Sequence, residues 1–272
     1  MACAWWPTPN VSWGAIAVAA LVGGVSSCSS VPGTGRERMN FMPAAQMHRL
    51  GGEAFDNLLA EQHMVPAGPD VARVQRIGRR VVRSALQLYP DAGLPSEWEI
   101  VLIKDDTPNA FALPGGRIGV HTGMVDLAGT DDALGIVMGH EVGHVLAAHS
   151  AERLSHQMLL VGGLVLGSMA VKDEDEGTRR LVLGAMGAGV SIGVMLPYSR
   201  LHESEADELG LMISANAGFD PRAAIGLWQR MDTQQGGRLE FLSTHPLPQT
   251  RIDEFKAIMP RAMRLYRQAA RR

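Results

Sequence analysis

The sequence is poor in cysteine and in net charge. It has two cysteines, Cys3 and Cys28, among 272 residues, and its formal net charge at pH 7 is −3. So small a charge gives no indication of binding to nucleic acid or to an acidic lipid surface. An apolar content of 46% with 19% charged residues is ordinary for a globular protein that buries a real core.

Charge is entirely missing from the amino-terminal segment. The first 27 residues contain no Lys, Arg, Asp or Glu, and Gly14 to Val25 form an apolar stretch within them. This stretch has the length of a signal-peptide core and is short for a transmembrane span. Val25-Ser26-Ser27-Cys28 then resembles the bacterial lipobox, at which the signal is removed and the new terminal cysteine is acylated. We therefore expect a signal peptide over 1–27 and a lipidated terminus with a flexible tether over 28–39.

The lipobox also makes a prediction about location. Cleavage before Cys28 would leave one cysteine, so the mature chain would form no internal disulfide. Ser29 follows in place of the Asp that favours inner-membrane retention, which predicts anchoring at the periplasmic face of a Gram-negative outer membrane. The alternative is an uncleaved anchor with an incidental cysteine, and the lack of Lys and Arg from Met1 to Asn10 departs from the usual signal pattern.

Apolar spacing after the tether predicts helices around a few short strands. Residues from Val71 to Leu88 recur at three- and four-residue steps, which predicts an amphipathic helix. Alternation predicts strands at Trp98 to Ile103, Ala110 to Leu113 and Arg117 to His121. A further helix is expected from Asp131 to about Gln157. The fold class is therefore α+β, mainly helical with a small sheet, in one domain over 40–272.

Two Gly-rich apolar stretches follow, Met158 to Val171 and Leu181 to Pro197. Both are shorter than a typical membrane span, so we expect a buried or surface-lying helical hairpin. The alternative is an integral inner-membrane protein that uses these stretches and residues 14–25 as spans. From Tyr198 onward, the sequence predicts helices around a loop at Ser243 to Gln249.

The strongest functional signal is His140-Glu141-Val142-Gly143-His144. On a helix, His140 and His144 share one face and can bind one ion. Glu141 is rotated by about 100° around the axis, so it can reach a water beside the metal rather than the metal itself. Two solvated histidines are the alternative, but the pattern is rare and lies within helical apolar spacing. It predicts a metal site with Glu141 as the catalytic residue.

A catalytic zinc needs a third protein ligand and one open position. His149 is a poor candidate, because it lies five residues beyond His144 and far around the helix. Glu203 and Asp207 are better, since they are four residues apart and share a helix face. One could bind the metal while the other accepts the second N–H of a ligand histidine. A solvated acidic helix face is the alternative.

Together, His140-Glu141-x-x-His144 and the run from Ser199 to Asp207 resemble the gluzincin family of membrane-associated zinc metalloendopeptidases. Asn109 to Gly116, and His245-Pro246 with Arg251-Ile252, extend the resemblance over about 40–255. Members of this family include prenyl-protein proteases, mitochondrial inner-membrane quality-control proteases and periplasmic proteases of outer-membrane assembly.

The resemblance implies a zincin-like peptidase domain that binds one zinc ion per chain. It implies that the metal ligands are His140, His144 and Glu203, with Asp207 behind them. It also implies that substrate lies extended on the edge strand formed by Ala110, Phe111, Ala112 and Leu113. Unpaired N–H and C=O groups on such an edge would bind any extended peptide.

Two further residues receive roles from the resemblance. In some periplasmic relatives, the histidine that matches His245 sits over the metal and restrains activity. His245 or Arg251 could also stabilise the oxyanion. The resemblance thus implies a zinc endopeptidase that cleaves misfolded or unassembled envelope proteins, with outer-membrane assembly machinery as a further partner. The alternative is an assembly or holding factor with a latent site restrained by His245.

Overall fold

In the computed structural model, which describes residues 28–170, 176–177, 196–233 and 251–271, helices surround a small sheet. The strands are β1 (Cys28–Ser30), β2 (Glu37–Met39), β3 (Glu99–Ile103), β4 (Ala110–Leu113) and β5 (Arg117–His121). The helices are α1 (Ala44–Glu61), α2 (Pro69–Leu88), α3 (Thr122–Ala128), α4 (Asp131–Leu146), α5 (His149–Ala170), α6 (Leu196–Asn216), α7 (Ala223–Thr233) and α8 (Arg251–Ala269). This confirms the predicted fold class.

The larger sheet has three strands in the order β3-β5-β4. β3 and β5 run parallel, and β4 pairs with β5 antiparallel, with Ala110 opposite Val120. The outer edge of β3 is covered, because Val65 N donates to Leu102 O at 2.9 Å and Lys104 N donates to His63 O at 2.8 Å. In the part of the chain that the structure describes, no strand pairs with the outer edge of β4. β4 is therefore an edge strand of the sheet as far as these residues show.

α4 is buried on nearly every side, as expected for a helix that is apolar around its whole circumference. Thr130 caps its start, because the Thr130 hydroxyl accepts a hydrogen bond from Ala133 N at 3.2 Å. Asp131 and Asp132 follow in the first turn, where negative charge is favourable. A helix held in this way at the centre of the core is a rigid support for the side chains along it.

α4 and α6 approach closely because both carry glycine at their contact. A β-carbon at Gly210 would lie 2.6 Å from His140 Cα, and one at Gly143 would lie 2.9 Å from Ala206 O. Real β-carbons essentially never come this near to a backbone. The two helices can therefore pack in this way only with glycine at these positions.

The predicted helix over Val71 to Leu88 is confirmed, and β4 and β5 have their predicted bounds. The single helix predicted from Asp131 to about Gln157 is wrong, because the chain turns between α4 and α5. Ala148 has a φ of +53° there, which no α-helix accommodates. The helices α1 and α3 are not predicted by the sequence patterns described above.

The flexible tether predicted over 28–39 is instead an ordered N-terminal hairpin, formed by β1, its loop and β2. Cys28 pairs with Met39 and Ser30 with Glu37. Val31 is 1% exposed and belongs to the main core. The composition of the segment resembles a linker, but contacts with distant residues order it. The signal peptide and the acylation of Cys28 stay predictions.

The predicted helical hairpin lies largely outside the described residues. α5 extends to Ala170, and Met158, Leu159 and Val161 on it are between 50% and 59% exposed. This part of the helix is on the surface rather than buried. Among the helices that the structure describes, none is both long and apolar enough to span a membrane.

The close contact of α4 with α6 generates a prediction. Gly210→Ala should lower the free energy of unfolding by about 1–3 kcal/mol, because the added methyl group collides with the backbone of α4. Gly52→Ala in α1 is the matched control, since its β-carbon would lie 3.7 Å from the flexible end of Arg117. This control should be stabilising by about 0.5–1 kcal/mol. Urea unfolding measures both, and equal stability of the two variants would contradict the close packing.

Candidate metal centre

His140 and His144 lie one turn apart on α4 and point their Nε2 atoms towards each other. The two atoms are 3.0 Å apart, and both side chains are buried. This arrangement follows from the four-residue spacing on a regular helix. The structure therefore places the two histidines as the sequence predicted.

α6 brings Glu203 to the same point. Its Oε2 lies 3.3 Å from His140 Nε2, and its Oε1 lies 3.4 Å from His144 Nε2. His140, His144 and Glu203 form the one group of three possible metal ligands that is found among the described residues. The spacing left Glu203 and Asp207 as alternatives, and the geometry favours Glu203 as the third ligand.

The distances between these atoms suit zinc. Zinc–nitrogen and zinc–oxygen bonds of about 2.0–2.2 Å in a tetrahedron place ligand atoms about 3.3–3.6 Å apart. The carboxylate–imidazole distances, one from each oxygen of Glu203, fall in this range, and the imidazole–imidazole distance of 3.0 Å is slightly shorter. Two nitrogens and a carboxylate are also the donor set of many catalytic zinc sites.

The electrostatics of the site favour a positive charge. Burial lowers the pKa of His140, but the carboxylates of Asp207 and Glu203 outweigh this effect and raise the pKa to about 9. In the absence of metal, the ring would thus hold a proton where a cation could take its place. The three residues fit a divalent metal in charge as well as in distance.

Asp207 holds His140 from behind. Its Oδ1 lies 2.9 Å from His140 Nδ1, so the carboxylate accepts the Nδ1–H and leaves Nε2 for the metal. This is the position predicted for Asp207. Its role in metal binding remains a proposal, and so do the roles of the ligands.

Arg251 is buried between Asp207 and Trp228. Its guanidinium donates from Nη2 to Asp207 Oδ1 at 2.5 Å, pairs through Nε with Asp207 Oδ2, and stacks 3.6 Å from the Trp228 ring. Only 2% of Arg251 is exposed. The guanidinium Nη2 lies 3.3 Å from His140 Nδ1 and 3.8 Å from Oε2 of Glu203. The contacts show Arg251 pairing with Asp207 and orienting it, and the oxyanion role suggested for Arg251 stays a prediction.

His144 has an equivalent support that the sequence analysis missed. His144 Nδ1 lies 2.8 Å from His149 Nδ1, and His149 Nε2 lies 3.0 Å from Glu205 Oε2. Hydrogen bonds from His149, Arg36 and Thr34 outweigh burial and lower the pKa of Glu205 to about 2, while burial lowers the pKa of His149 to about 4. Glu205 is thus an anion beside a neutral His149.

These protonation states determine the tautomer of His144. Glu205 accepts the hydrogen on His149 Nε2, so His149 Nδ1 carries a lone pair and accepts from His144 Nδ1–H. His144 Nε2 is then the atom with a free lone pair, as a metal ligand requires. His149 contacts the Nδ1 side of His144 and orients its ring, a role that the sequence analysis did not assign to it. The sequence could have indicated Glu205 through its position two residues after Glu203, within the run from Ser199 to Asp207.

Glu141 is buried beside the ligands on α4, with 2% of its surface exposed. Arg153, on α5, is half-buried and close enough to Glu203 and Glu141 for their charges to affect its pKa. Burial lowers the pKa of Arg153, and the two carboxylates oppose this shift. Arg153 was not identified from the sequence, because it lies beyond the turn at Ala148 that the predicted single helix omitted.

The remaining predicted site residues differ in what the structure says of them. Ala110 to Leu113 form β4, which packs against α4 and has its outer edge free of strand pairing in the described part of the chain. This placement suits an extended substrate. His245 lies outside the described residues, so its predicted position over the metal stays a prediction.

The ligand assignment can be checked by zinc binding. We expect one zinc per chain, lost for the most part in His144→Ala and Glu203→Ala because three ligands are reduced to two. Asp207→Asn should keep zinc with about 10–100-fold weaker affinity, since it removes an outer hydrogen bond and not a ligand. Chelator competition measures each affinity. Asp253→Asn, an exposed change on α8, is the control, and full zinc retention in both ligand variants would disprove the site.

Comparison with known proteins is consistent with a metal site of this kind. The chain matches peptidase family M48 over residues 70–259. It is 34% identical to the mitochondrial metalloendopeptidase OMA1 of Schizosaccharomyces pombe over 238 residues, which cover 85% of this chain and 66% of that protein. It is 32% identical to OMA1 of Saccharomyces cerevisiae over 229 residues, covering 77% of this chain and 61% of that protein.

A bacterial protein is among the relatives as well. The chain is 28% identical to the beta-barrel assembly-enhancing protease of Yersinia pestis over 189 residues, which cover 66% of this chain and 37% of that protein. This chain therefore spans from about a third to just under two thirds of the length of these relatives.

Proposed function

This chain belongs to peptidase family M48, and from that membership and the geometry of its site we propose that it is a zinc-dependent endopeptidase. The observation that carries the proposal is the convergence of Glu203 from α6 on the paired histidines of α4. A carboxylate with two imidazoles leaves room for water and substrate, as a catalytic zinc site must.

The residues of the site divide the work between binding and proton transfer. Zinc held by His140, His144 and Glu203 would supply a Lewis acid that polarises the scissile carbonyl and acidifies a water. Glu141, the next residue on α4, would accept the proton of the attacking water and later deliver it to the leaving amine nitrogen. Burial keeps bulk water from competing for that proton.

The free edge of β4 suggests the form of the substrate. Its unpaired backbone groups can add one extended strand, with little selection for side chains. A folded protein rarely offers such a strand, whereas an unfolded or unassembled one does. We therefore propose misfolded or unassembled proteins as the substrate class.

The proposed setting is the bacterial envelope. Its support is the lipobox-like Val25-Ser26-Ser27-Cys28, together with relatives named for mitochondrial peptidases and for enhancing β-barrel assembly. We place the protein on the periplasmic face of the outer membrane, with envelope proteins as substrates and outer-membrane assembly machinery as a partner. The alternative of a holding factor restrained by His245 stays a prediction.

Glu141→Gln tests the catalytic proposal. The amide cannot accept a proton at neutral pH, so peptide hydrolysis should fall by about 10²–10⁴-fold, whereas zinc content and fold remain. Cleavage of an unfolded protein such as casein measures the activity. Glu53→Gln, a change of the same kind at an exposed position of α1, should keep full activity. More than about a tenth of wild-type turnover in Glu141→Gln would contradict the role of the carboxylate.

Cys28→Ala tests the anchor. The wild-type protein should incorporate radiolabelled fatty acid and fractionate with the outer membrane, because several acyl chains at one site give stable anchoring. Cys28→Ala should lose the label and either become soluble in the periplasm or stay as an uncleaved precursor. Cys3→Ala is the control and should keep the label. A soluble, unlabelled wild-type protein would refute the lipid anchor without affecting the zinc site.

A further inference from the structure

The loop of the N-terminal hairpin docks deeply against the body of the domain. Val31 N donates to Arg36 O at 2.8 Å and Gly35 N donates to Val31 O at 2.9 Å, which closes the loop. Gly33 has a φ of +90°, and a β-carbon there would lie 2.8 Å from Tyr89 and 2.9 Å from Leu209 of α6. Such close contacts fix the loop, and they direct Thr34 and Arg36 towards the interior.

Arg36 binds two carboxylates that are themselves buried. Its Nη1 and Nη2 donate to Glu152 Oε1 and Oε2 at 2.9 and 2.7 Å, and its Nε donates to Glu205 Oε2 at 2.9 Å. Thr34 completes the arrangement by donating to Glu205 Oε1 at 2.5 Å. Glu152 is 1% exposed and Glu205 is 5% exposed. Hydrogen bonds from a planar guanidinium hold both carboxylates in position, and its positive charge stabilises them as anions.

From these two acids, contacts lead to the metal centre by two routes. Glu205 binds His149, which orients the ligand His144. Glu152 Oε2 lies 2.9 Å from Nε2 of His202, and the His202 ring stacks on His149 at 4.1 Å. His149 is therefore held at its edge and across its face by groups that Arg36 positions.

We propose that the N-terminal hairpin is a positioning element of the metal centre, and that Arg36 acts through Glu205 and Glu152 to hold His149 against His144. This proposal rests on the zinc site proposed above. It extends the functional unit to the hairpin at 28–39, well before residue 70, where the match to the peptidase family begins. Without Arg36, two buried carboxylates lose their guanidinium partner, and His149 loses the fixed acceptor that sets its tautomer.

The test measures zinc affinity in the full chain by chelator competition. Arg36→Ala should bind zinc about 10–100-fold more weakly than wild type, as expected for loss of an outer hydrogen-bonding group. Arg36→Lys should recover part of this loss, because it restores the charge but not the fork. Arg49→Ala is the matched control, since Arg49 forms an exposed pair with Glu53, and it should bind zinc as wild type does.

A spectrum distinguishes positioning from a general loss of stability. Cobalt in place of zinc should show an altered visible absorption in Arg36→Ala, because the orientation of His144 changes, and a wild-type absorption in Arg49→Ala. Wild-type zinc affinity and cobalt spectrum in Arg36→Ala would overturn the proposal. A wild-type chain that binds no zinc would instead overturn the proposed function itself, and this proposal with it.

A second variant covers the case in which Arg36→Ala does not fold. Thr34→Val removes one hydrogen bond to Glu205 and keeps the size of the side chain and the ion pairs of Arg36. It should fold, weaken zinc binding several-fold and shift the cobalt spectrum in the same direction. Unchanged affinity and an unchanged spectrum in folded Thr34→Val would then count against the proposal.

Discussion

The close approach of α4 and α6 is the constraint on which the metal centre depends. Two histidines one turn apart are available on any helix, but a carboxylate can join them only when a second backbone comes very near. Gly143 and Gly210 permit this, because side chains at either position would collide with the facing helix. Glu203 and Asp207 then face His140 from the same helix, one at Nε2 and the other at Nδ1.

The two histidines of the candidate metal centre are each oriented by an acidic side chain and an arginine, but the groups differ. His140 relies on Asp207 and Arg251, whereas His144 relies on His149, Glu205 and Arg36. Each arginine forms ion pairs with two acidic side chains, Arg251 with Asp207 and Glu203 and Arg36 with Glu152 and Glu205. Each group has two negative charges and one positive charge, so the two groups together have two negative charges in excess. A divalent cation would balance them, and buried charge without compensation is costly.

Local sequence patterns were enough to predict much of the candidate metal centre. The four-residue spacings placed His140 with His144 and Glu203 with Asp207, and alternation placed β4 and β5. Spacing alone did not choose between Glu203 and Asp207, because both lie on one face of α6 and the choice depends on how that face meets α4. The turn at Ala148 was missed since helical apolar spacing continues through it, and with it the positions of His149 and Arg153 relative to the ligands.

The N-terminal hairpin shows most clearly where sequence reasoning stops. Its Gly, Ser, Thr and Pro are typical of linkers, and the partners of Arg36 lie 116 and 169 residues away along the chain, so no local pattern reveals them. The difference matters for the proposed lipid anchor. An extended tether of a dozen residues could hold the domain about 40 Å from its anchor, whereas the hairpin pairs Cys28 with Met39 beside the body of the domain. Acyl chains on Cys28, as proposed above, would then hold the peptidase close to the bilayer surface, whereas an extended tether would allow it to act farther from the membrane.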